Sequence, residues 1–353
     1  MTKDRDYFGI FLNSVDRMAR KDLVPFIPEI DLDPGGLEKI DLFRRLKDVG
    51  ILGLSDGESG FSDMESIAQA VWKLSEYCAG IGAFASYCLA SDMLLKNAGF
   101  DAPGRRACLC IFDDEELDLS PRVIEFRTRL RDGLVTGRKK SVVLGGLGGP
   151  YAVFASGCDG TVLCLVEHDP STVVVEEVGL LGARALRVAD VAFVNARPVA
   201  IEPVNRDSLI FIFSVLSLLT GACACATSAK ALDTAREYAR ERYQGGRMIE
   251  DHDAIKLLIE TNRAAIQSAW KGVLDSAAGF DQGSTDGIAS CFRAKAAASR
   301  AAVNAGLDAI QVYGGYGYMR DYGVEKRFRD AAALSVLPLD STRLLLLSSM
   351  LAG

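Results

Sequence analysis

From Leu209 to Cys225 the chain reads Leu-Ile-Phe-Ile-Phe-Ser-Val-Leu-Ser-Leu-Leu-Thr-Gly-Ala-Cys-Ala-Cys, without a charge or a proline. No Pro or Gly separates this run from Ala229-Lys-Ala-Leu-Asp-Thr-Ala-Arg-Glu-Tyr-Ala-Arg-Glu-Arg242. One long helix is expected here, apolar all round at one end and amphipathic at the other. Such a helix suits the centre of a bundle. A membrane span is the alternative that its length allows.

The residues after it supply the bundle. Helical patterns lie at about 206–243, 251–279, 288–313 and 323–336, with a short last helix near 341–351. The polar break Asp281-Gln-Gly-Ser-Thr-Asp-Gly287 separates two of them. Residues 5 to about 105 are also expected to be helical. Phe8, Phe11, Leu12, Val15 and Met18 recur at helical spacing, and Pro25 stops that helix. A second helix is expected from Leu37 to Val49, ending at Gly50. Ser62-Asp-Met-Glu65 has the form of a capping box before a long apolar helix to about Gly80, and another helix follows to about Asn97. Between 106 and 205 the pattern changes to short alternating strands: Val123–Arg131, Tyr151–Ala155, Thr161–Val166, Thr172–Val175 and Ala192–Pro198. The expected fold is mainly α with a small β domain. It comprises an N-terminal helical domain (1–105), a middle β-barrel-like domain (106–205) and a C-terminal four-helix bundle (206–353).

Composition excludes several classes of function. Net charge is −7 and no Lys/Arg cluster stands out, which argues against nucleic acid and anionic membranes as partners. The nine cysteines are scattered, and Cys108/Cys110 and Cys223/Cys225 lie in apolar runs. They read as buried thiols of a reducing compartment, with no metal site. The two histidines, His168 and His252, are too few for a histidine-rich metal centre. No nucleophile motif accompanies either one. The N-terminus, Met-Thr-Lys-Asp-Arg-Asp, lacks an apolar signal core, so a cytoplasmic location is expected.

The densest motif is Gln311-Val-Tyr-Gly314-Gly315-Tyr-Gly317-Tyr318, followed by Glu325-Lys-Arg327-Phe-Arg329-Asp330-Ala331. Glycines end the first helix and let a backbone or ligand come close, and the mixed charges suit a salt-bridged helix start. This stretch resembles the C-terminal signature of the acyl-CoA dehydrogenase family, Gln-x-x-Gly-Gly-x-Gly-Tyr and then Arg-Asp-Ala. The resemblance implies that family's order of helical, β and helical domains. It also implies FAD and α,β-dehydrogenation of an acyl-CoA or other acyl thioester. In that chemistry a carboxylate takes the α proton and the flavin takes the β hydride. Electrons then leave to an external acceptor such as an electron-transfer flavoprotein.

Carried over position by position, Arg242 and Gln244 match the family's Arg-x-Gln-Phe-Gly, whose arginine reaches the FAD pyrophosphate of a neighbouring subunit. Gly245 stands where the family has Phe, and a charged helix end with a glycine cap is the other reading. Gln311, Gly314 and Gly315 would approach the adenosine and pyrophosphate half of the same FAD. A dimer or dimer of dimers follows from that sharing. Other family elements are altered. Cys110-Ile-Phe-Asp113-Asp114-Glu115-Glu116-Leu-Asp118 replaces a flavin-holding loop, and its acidic run would repel a phosphate. Ser141 and Val143 replace an aromatic residue and a hydroxyl that would lie against the flavin. Without gaps, Pro338 falls where the catalytic Glu-Gly-Thr begins. With a two-residue insertion Asp340-Ser341-Thr342 takes that place, with Asp340 as base and Thr342 near the FAD. Asp340 also reads as an ordinary helix N-cap. Phe211 occupies the minority position of the base, and Leu209 and Ile212 replace an Asp-x-x-Arg that binds acyl-CoA.

The sequence therefore favours a diverged subunit of a hetero-oligomeric α,β-dehydrogenase that contributes FAD-binding residues beside a related catalytic chain. A self-sufficient homo-oligomeric flavoenzyme with an unusual substrate and Asp340 as base is the second reading. A flavin-free structural paralogue is the third.

Overall fold

The long helix α7 (Arg206–Glu241) lies at the centre of the molecule. Asn205 starts it with a capping box closed by Ser208. In the computed structural model, which describes residues 2–56, 61–100, 107–114, 117–119 and 124–352, 94% of its most apolar 18-residue window is buried. Its apolar circumference is therefore covered by protein. The neighbours are α5 (Met64–Ser75), α6 (Ala79–Asn97), α8 (Asp253–Asp281), α9 (Thr285–Tyr313) and α10 (Val324–Ser335). Each fully buried Leu, Ile or Phe there contributes roughly 1.5–3 kcal/mol. A last helix, α11 (Ser341–Ala352), packs on α9. Gly279 and Gly287 let α8 and α9 meet at their turn: a Cβ on Gly287 would lie 2.3 Å from the Gly279 carbonyl oxygen.

The N-terminal elements differ from expectation in three places. α1 (Thr2–Met18) is followed by a π-helical turn, Ala19–Leu23, before Pro25 breaks the run. A short α2 (Ile27–Leu32) follows. The helix expected over 37–49 is split into α3 (Leu37–Ile40) and α4 (Leu42–Asp48). Asp41 takes a left-handed conformation between them, and its carboxylate accepts the Arg44 N–H. The cap of α5 is Asp63, not Ser62, because its carboxylate accepts both the N–H and the hydroxyl of Ser66. α5 then stops at Ser75, and Gly80 belongs to α6.

The strands are β1 (Cys108–Cys110), β2 (Arg129–Arg131), β3 (Leu134–Val142), β4 (Tyr151–Ser156), β5 (Thr161–Val166), β6 (Val173–Glu177), β7 (Ala189–Ala196) and β8 (Ala200–Pro203). The sheet runs β6-β7-β3-β2-β4-β5-β8, with β1 parallel to β4. The strand expected over 123–131 is only three residues long. Upstream, Asp113 accepts the Arg127 N–H and the Ser156 hydroxyl accepts the Phe126 N–H, in place of a strand ladder. Glu115, Glu116 and Val123 lie outside the described residues.

Candidate functional site

α7 ends at Glu241, and a two-stranded hairpin follows: β9 (Tyr243–Gln244) and β10 (Arg247–Met248). Gly245 and Gly246 form its corner, both with positive φ. The pair is thus a hairpin turn rather than a helix cap. His252 secures the hairpin: its Nε2 lies 3.0 Å from the Gln244 carbonyl oxygen, and Arg247 donates to its Nδ1 at 3.3 Å. A Cβ on Gly245 would also approach the His252 ring at 3.2 Å. Glycine in the phenylalanine's place therefore belongs to this local geometry.

The hairpin faces the end of α9. Between them lies an open groove of about 880 Å³ lined by Arg242, Gln244, Gly245, Gln311, Gly314 and Gly315. Residues some 70 positions apart thus meet because α7 and α9 pack side by side. Aromatic rings form one wall. Tyr238 stacks on Tyr313 at 4.1 Å, and Tyr322 touches both Tyr313 and Tyr316. The Arg242 guanidinium stands 5.8 Å over the Tyr316 ring and has no carboxylate partner among the described residues. Cβ positions at Gly314 and Gly315 would meet nothing within 4 Å. An exposed, unpaired guanidinium beside bare backbone fits a diphosphate, which accepts forked hydrogen bonds.

A second cavity, about 560 Å³, lies where the N-terminal helices, the sheet and the bundle meet. Leu109, Ile111, Val143, Val188, Leu216 and Leu339 are among the apolar residues of its wall. Ser141, Asp114, Asp340 and Arg343 stand among its polar groups. Ser141 has a positive φ at a bulge in β3, and Asp190 accepts its N–H at 3.0 Å. Asp113 also lines the cavity, but it is held from behind. Lys139 Nζ lies 2.8 Å from its Oδ1, and the Thr128 hydroxyl donates to the same oxygen at 2.7 Å. Burial pulls the Lys139 pKa down to about 8, against the raising effect of Asp113. This member of the acidic run is thus matched by a buried cation, unlike the free repulsive charge expected.

Asp340 Oδ1 accepts the Thr342 N–H at 2.9 Å and the Arg343 N–H at 3.2 Å, so it caps α11. Its other oxygen lies 3.5 Å from Arg343 Nε. Thr342 is exposed and lines neither cavity. Pro338 sits in the cavity wall. Phe211 packs on Phe280, and Leu209 and Ile212 are buried. Sequence reasoning missed two features. Tyr87, in the wall of the second cavity, was hidden within a run of small and apolar residues. The signature's charges also bind the molecule together: Arg329 pairs with Asp31 at 2.6 Å, Arg327 donates to the Glu76 carbonyl, and Asp330 accepts the Ala183 N–H.

The profile described as acyl-CoA dehydrogenase, C-terminal domain, matches residues 213–337. An acyl-CoA dehydrogenase of Bacillus subtilis is 31% identical over 214 residues, 58% of this chain. The chain spans 56% of that relative's length. A short-chain specific acyl-CoA dehydrogenase of Megasphaera elsdenii is 24% identical over 369 residues, covering 91% of each chain. Among solved structures, butyryl-CoA dehydrogenase from Megasphaera elsdenii superposes with a TM-score of 0.85 at 19% identity, over 98% of this chain and 97% of the other. A prolyl acyl carrier protein oxidase does so with a TM-score of 0.84 at 19% identity, over 98% and 99%. At such identities the structural likeness establishes the fold: a helical region, a middle β region and a helical bundle. The signature, the profile match over residues 213–337 and these relatives together support membership of the acyl-CoA dehydrogenase family.

Proposed function

We propose that this chain is a diverged subunit of a hetero-oligomeric acyl-CoA dehydrogenase-type flavoenzyme, completing FAD binding across an interface with a related catalytic chain. The observation that carries this reading is the groove of Arg242, Gln244, Gln311, Gly314 and Gly315. It is open to solvent, and its cation lacks a partner among the described residues. These residues would hold the diphosphate and adenosine half of the cofactor. When bound, the flavin supplies the hydride acceptor for α,β-dehydrogenation of an acyl thioester. An external acceptor such as an electron-transfer flavoprotein would then take the electrons. The chain's own second cavity argues for division of labour, because Ser141 and Val143 stand at the positions that would face the flavin ring and the Asp340 carboxylate on its wall is engaged as a cap.

The test is the visible spectrum of the chain purified alone and then co-purified with its paralogous subunit. A flavin spectrum only in the complex, with one FAD for each pair of chains, is the expected result. Arg242→Glu should abolish it while the chain still folds, because a carboxylate replaces a surface cation. Flavin bound by the lone chain would overturn the shared site, and flavin in neither preparation would leave a flavin-free structural paralogue.

A self-sufficient enzyme is the second reading, favoured by the placement of Asp340 on an apolar cavity. Asp340→Asn separates the two, since asparagine also caps helices. Under the shared-site reading the complex keeps its turnover. A loss of about 100-fold or more, the scale of a missing general base, would support Asp340 as the base.

A further inference from the structure

Tyr87 lies on α6 in the run Ala79-Gly-Ile-Gly-Ala-Phe-Ala-Ser-Tyr87-Cys-Leu-Ala. Its neighbours Ser86 and Ser91 turn their hydroxyls back to carbonyls of the same helix. Tyr87 does not. It is 5% exposed, lines the second cavity and makes no hydrogen bond to a described residue. Its hydroxyl is not among the side-chain atoms sealed away from all partners, which leaves the cavity as the space it opens onto. The cavity it lines is walled mainly by apolar side chains, with Asp113, Asp114, Ser141, Asp340 and Arg343 as its polar members. A donor that opens onto an apolar cavity without a protein partner would be satisfied there by water or by an accepting oxygen of a ligand, and a ligand that displaces the water without replacing its hydrogen bond loses affinity.

We infer that Tyr87 is a specificity residue that selects a ligand with an apolar body and one hydrogen-bond-accepting oxygen. Resting on the reading that this cavity takes the acyl group, the inferred substrate class is an acyl thioester with an oxo or hydroxy group on its chain. A plain hydrocarbon chain would strip water from the hydroxyl and return nothing. Burial holds the phenol protonated well above the ordinary tyrosine range, so it stays a donor. The alternative role for the ring, plain filling of the acyl cavity, would be served equally by phenylalanine. That difference is the basis of the test.

The probes are cyclohexanone and methylenecyclohexane, near-isosteres that differ in one acceptor atom, titrated into the intact protein co-purified with its partner. Tyr87→Phe is expected to weaken cyclohexanone about tenfold and to leave methylenecyclohexane unchanged or tighter. Equal change in both, change in neither, or no binding of cyclohexanone to the wild type would overturn the inference. So would loss of flavin in the variant, which would assign the hydroxyl to the cofactor. Hexanoyl and 5-oxohexanoyl pantetheine thioesters separate this from the wider reading. If cyclohexanone discrimination holds but no thioester binds, the acyl reading fails and Tyr87 keeps its role. If both thioesters bind equally and Tyr87→Phe changes neither, the acyl reading stands and the specificity role fails.

Discussion

Asp330→Ala is expected to destabilise the protein by about 3–5 kcal/mol, the cost of leaving a buried charge without its partner. Asp330 is 1% exposed. Its Oδ2 forms an ion pair with Lys326 at 2.5 Å, and its Oδ1 accepts the Ala183 N–H at 2.7 Å. Burial acts to lower the Lys326 pKa, yet Cys78 and Asp330 beside it raise it above the ordinary lysine value. Removing the carboxylate exposes that cation to its full desolvation penalty and orphans the Ala183 backbone donor. Nor can the loop move closer to compensate: at Gly182 a Cβ would already lie 2.1 Å from the Arg329 carbonyl oxygen. Asp330→Asn keeps an acceptor for Ala183 and loses only the charge, so it should fall between wild type and alanine. Urea unfolding of the three proteins checks the order. An alanine variant within about 1 kcal/mol of wild type would mean that Lys326 finds another partner.

This role of the signature was not legible in the sequence, which gives the charges but not their partners. Asp31, Glu76 and Ala183 lie 150 to 300 residues away along the chain, and the fold brings them to α10. The bundle itself was legible, because α7 through α11 carry long apolar stretches punctuated by glycine and polar breaks. Local turns were legible only in part. Asp41 and Asp63 each won a backbone N–H that the helical pattern left unassigned. In the β region, alternation found β4 and β5 but not their order. The parallel pairing of β1 with β4 and the pairing of β3 with β7 are long-range contacts that no local pattern encodes.

The candidate sites divide along the same line. Arg242, Gln244, Gln311, Gly314 and Gly315 could be named from two short motifs, and their meeting in one groove follows from helix packing. A charged helix end is the alternative that the sequence offers for the hairpin between Arg242 and His252, because a Gly-Gly pair serves either purpose. Asp340 carried two readings from the start. Its hydrogen bonds to Thr342 and Arg343 engage one oxygen as a cap, while its place on the cavity keeps the carboxylate near the apolar wall.

Lys295→Met is expected to stabilise the protein at pH 7 by about 3 kcal/mol, an effect that fades as the pH rises. Lys295 is fully buried on α9, and its Nζ donates to the Ser299 hydroxyl at 3.0 Å and the Leu334 carbonyl at 2.9 Å. No carboxylate pairs with it among the described residues, unlike Lys139 with Asp113. Burial lowers its pKa from 10.5 to about 8, with Cys223 and Cys225 opposing. Below pH 8 the folded chain carries the buried charge, so its cost is present in full. Between about pH 8 and 10.5 the folded lysine is neutral while the unfolded one still holds a proton. The unfolded state then binds more protons, and this group's contribution to stability rises with pH. The buried thiols act in the opposite sense: burial raises the pKa of Cys225 and Cys291 to about 12, so unfolding above pH 9 releases their protons. Absolute stability therefore mixes both effects, and the informative quantity is the difference between wild type and Lys295→Met. Urea midpoints at pH 7, 8.5 and 10 should give a difference that shrinks steadily. A variant less stable than wild type at pH 7 would mean that the two hydrogen bonds to Ser299 and Leu334 outweigh the buried charge. A constant difference across the range would mean that Lys295 keeps one protonation state throughout.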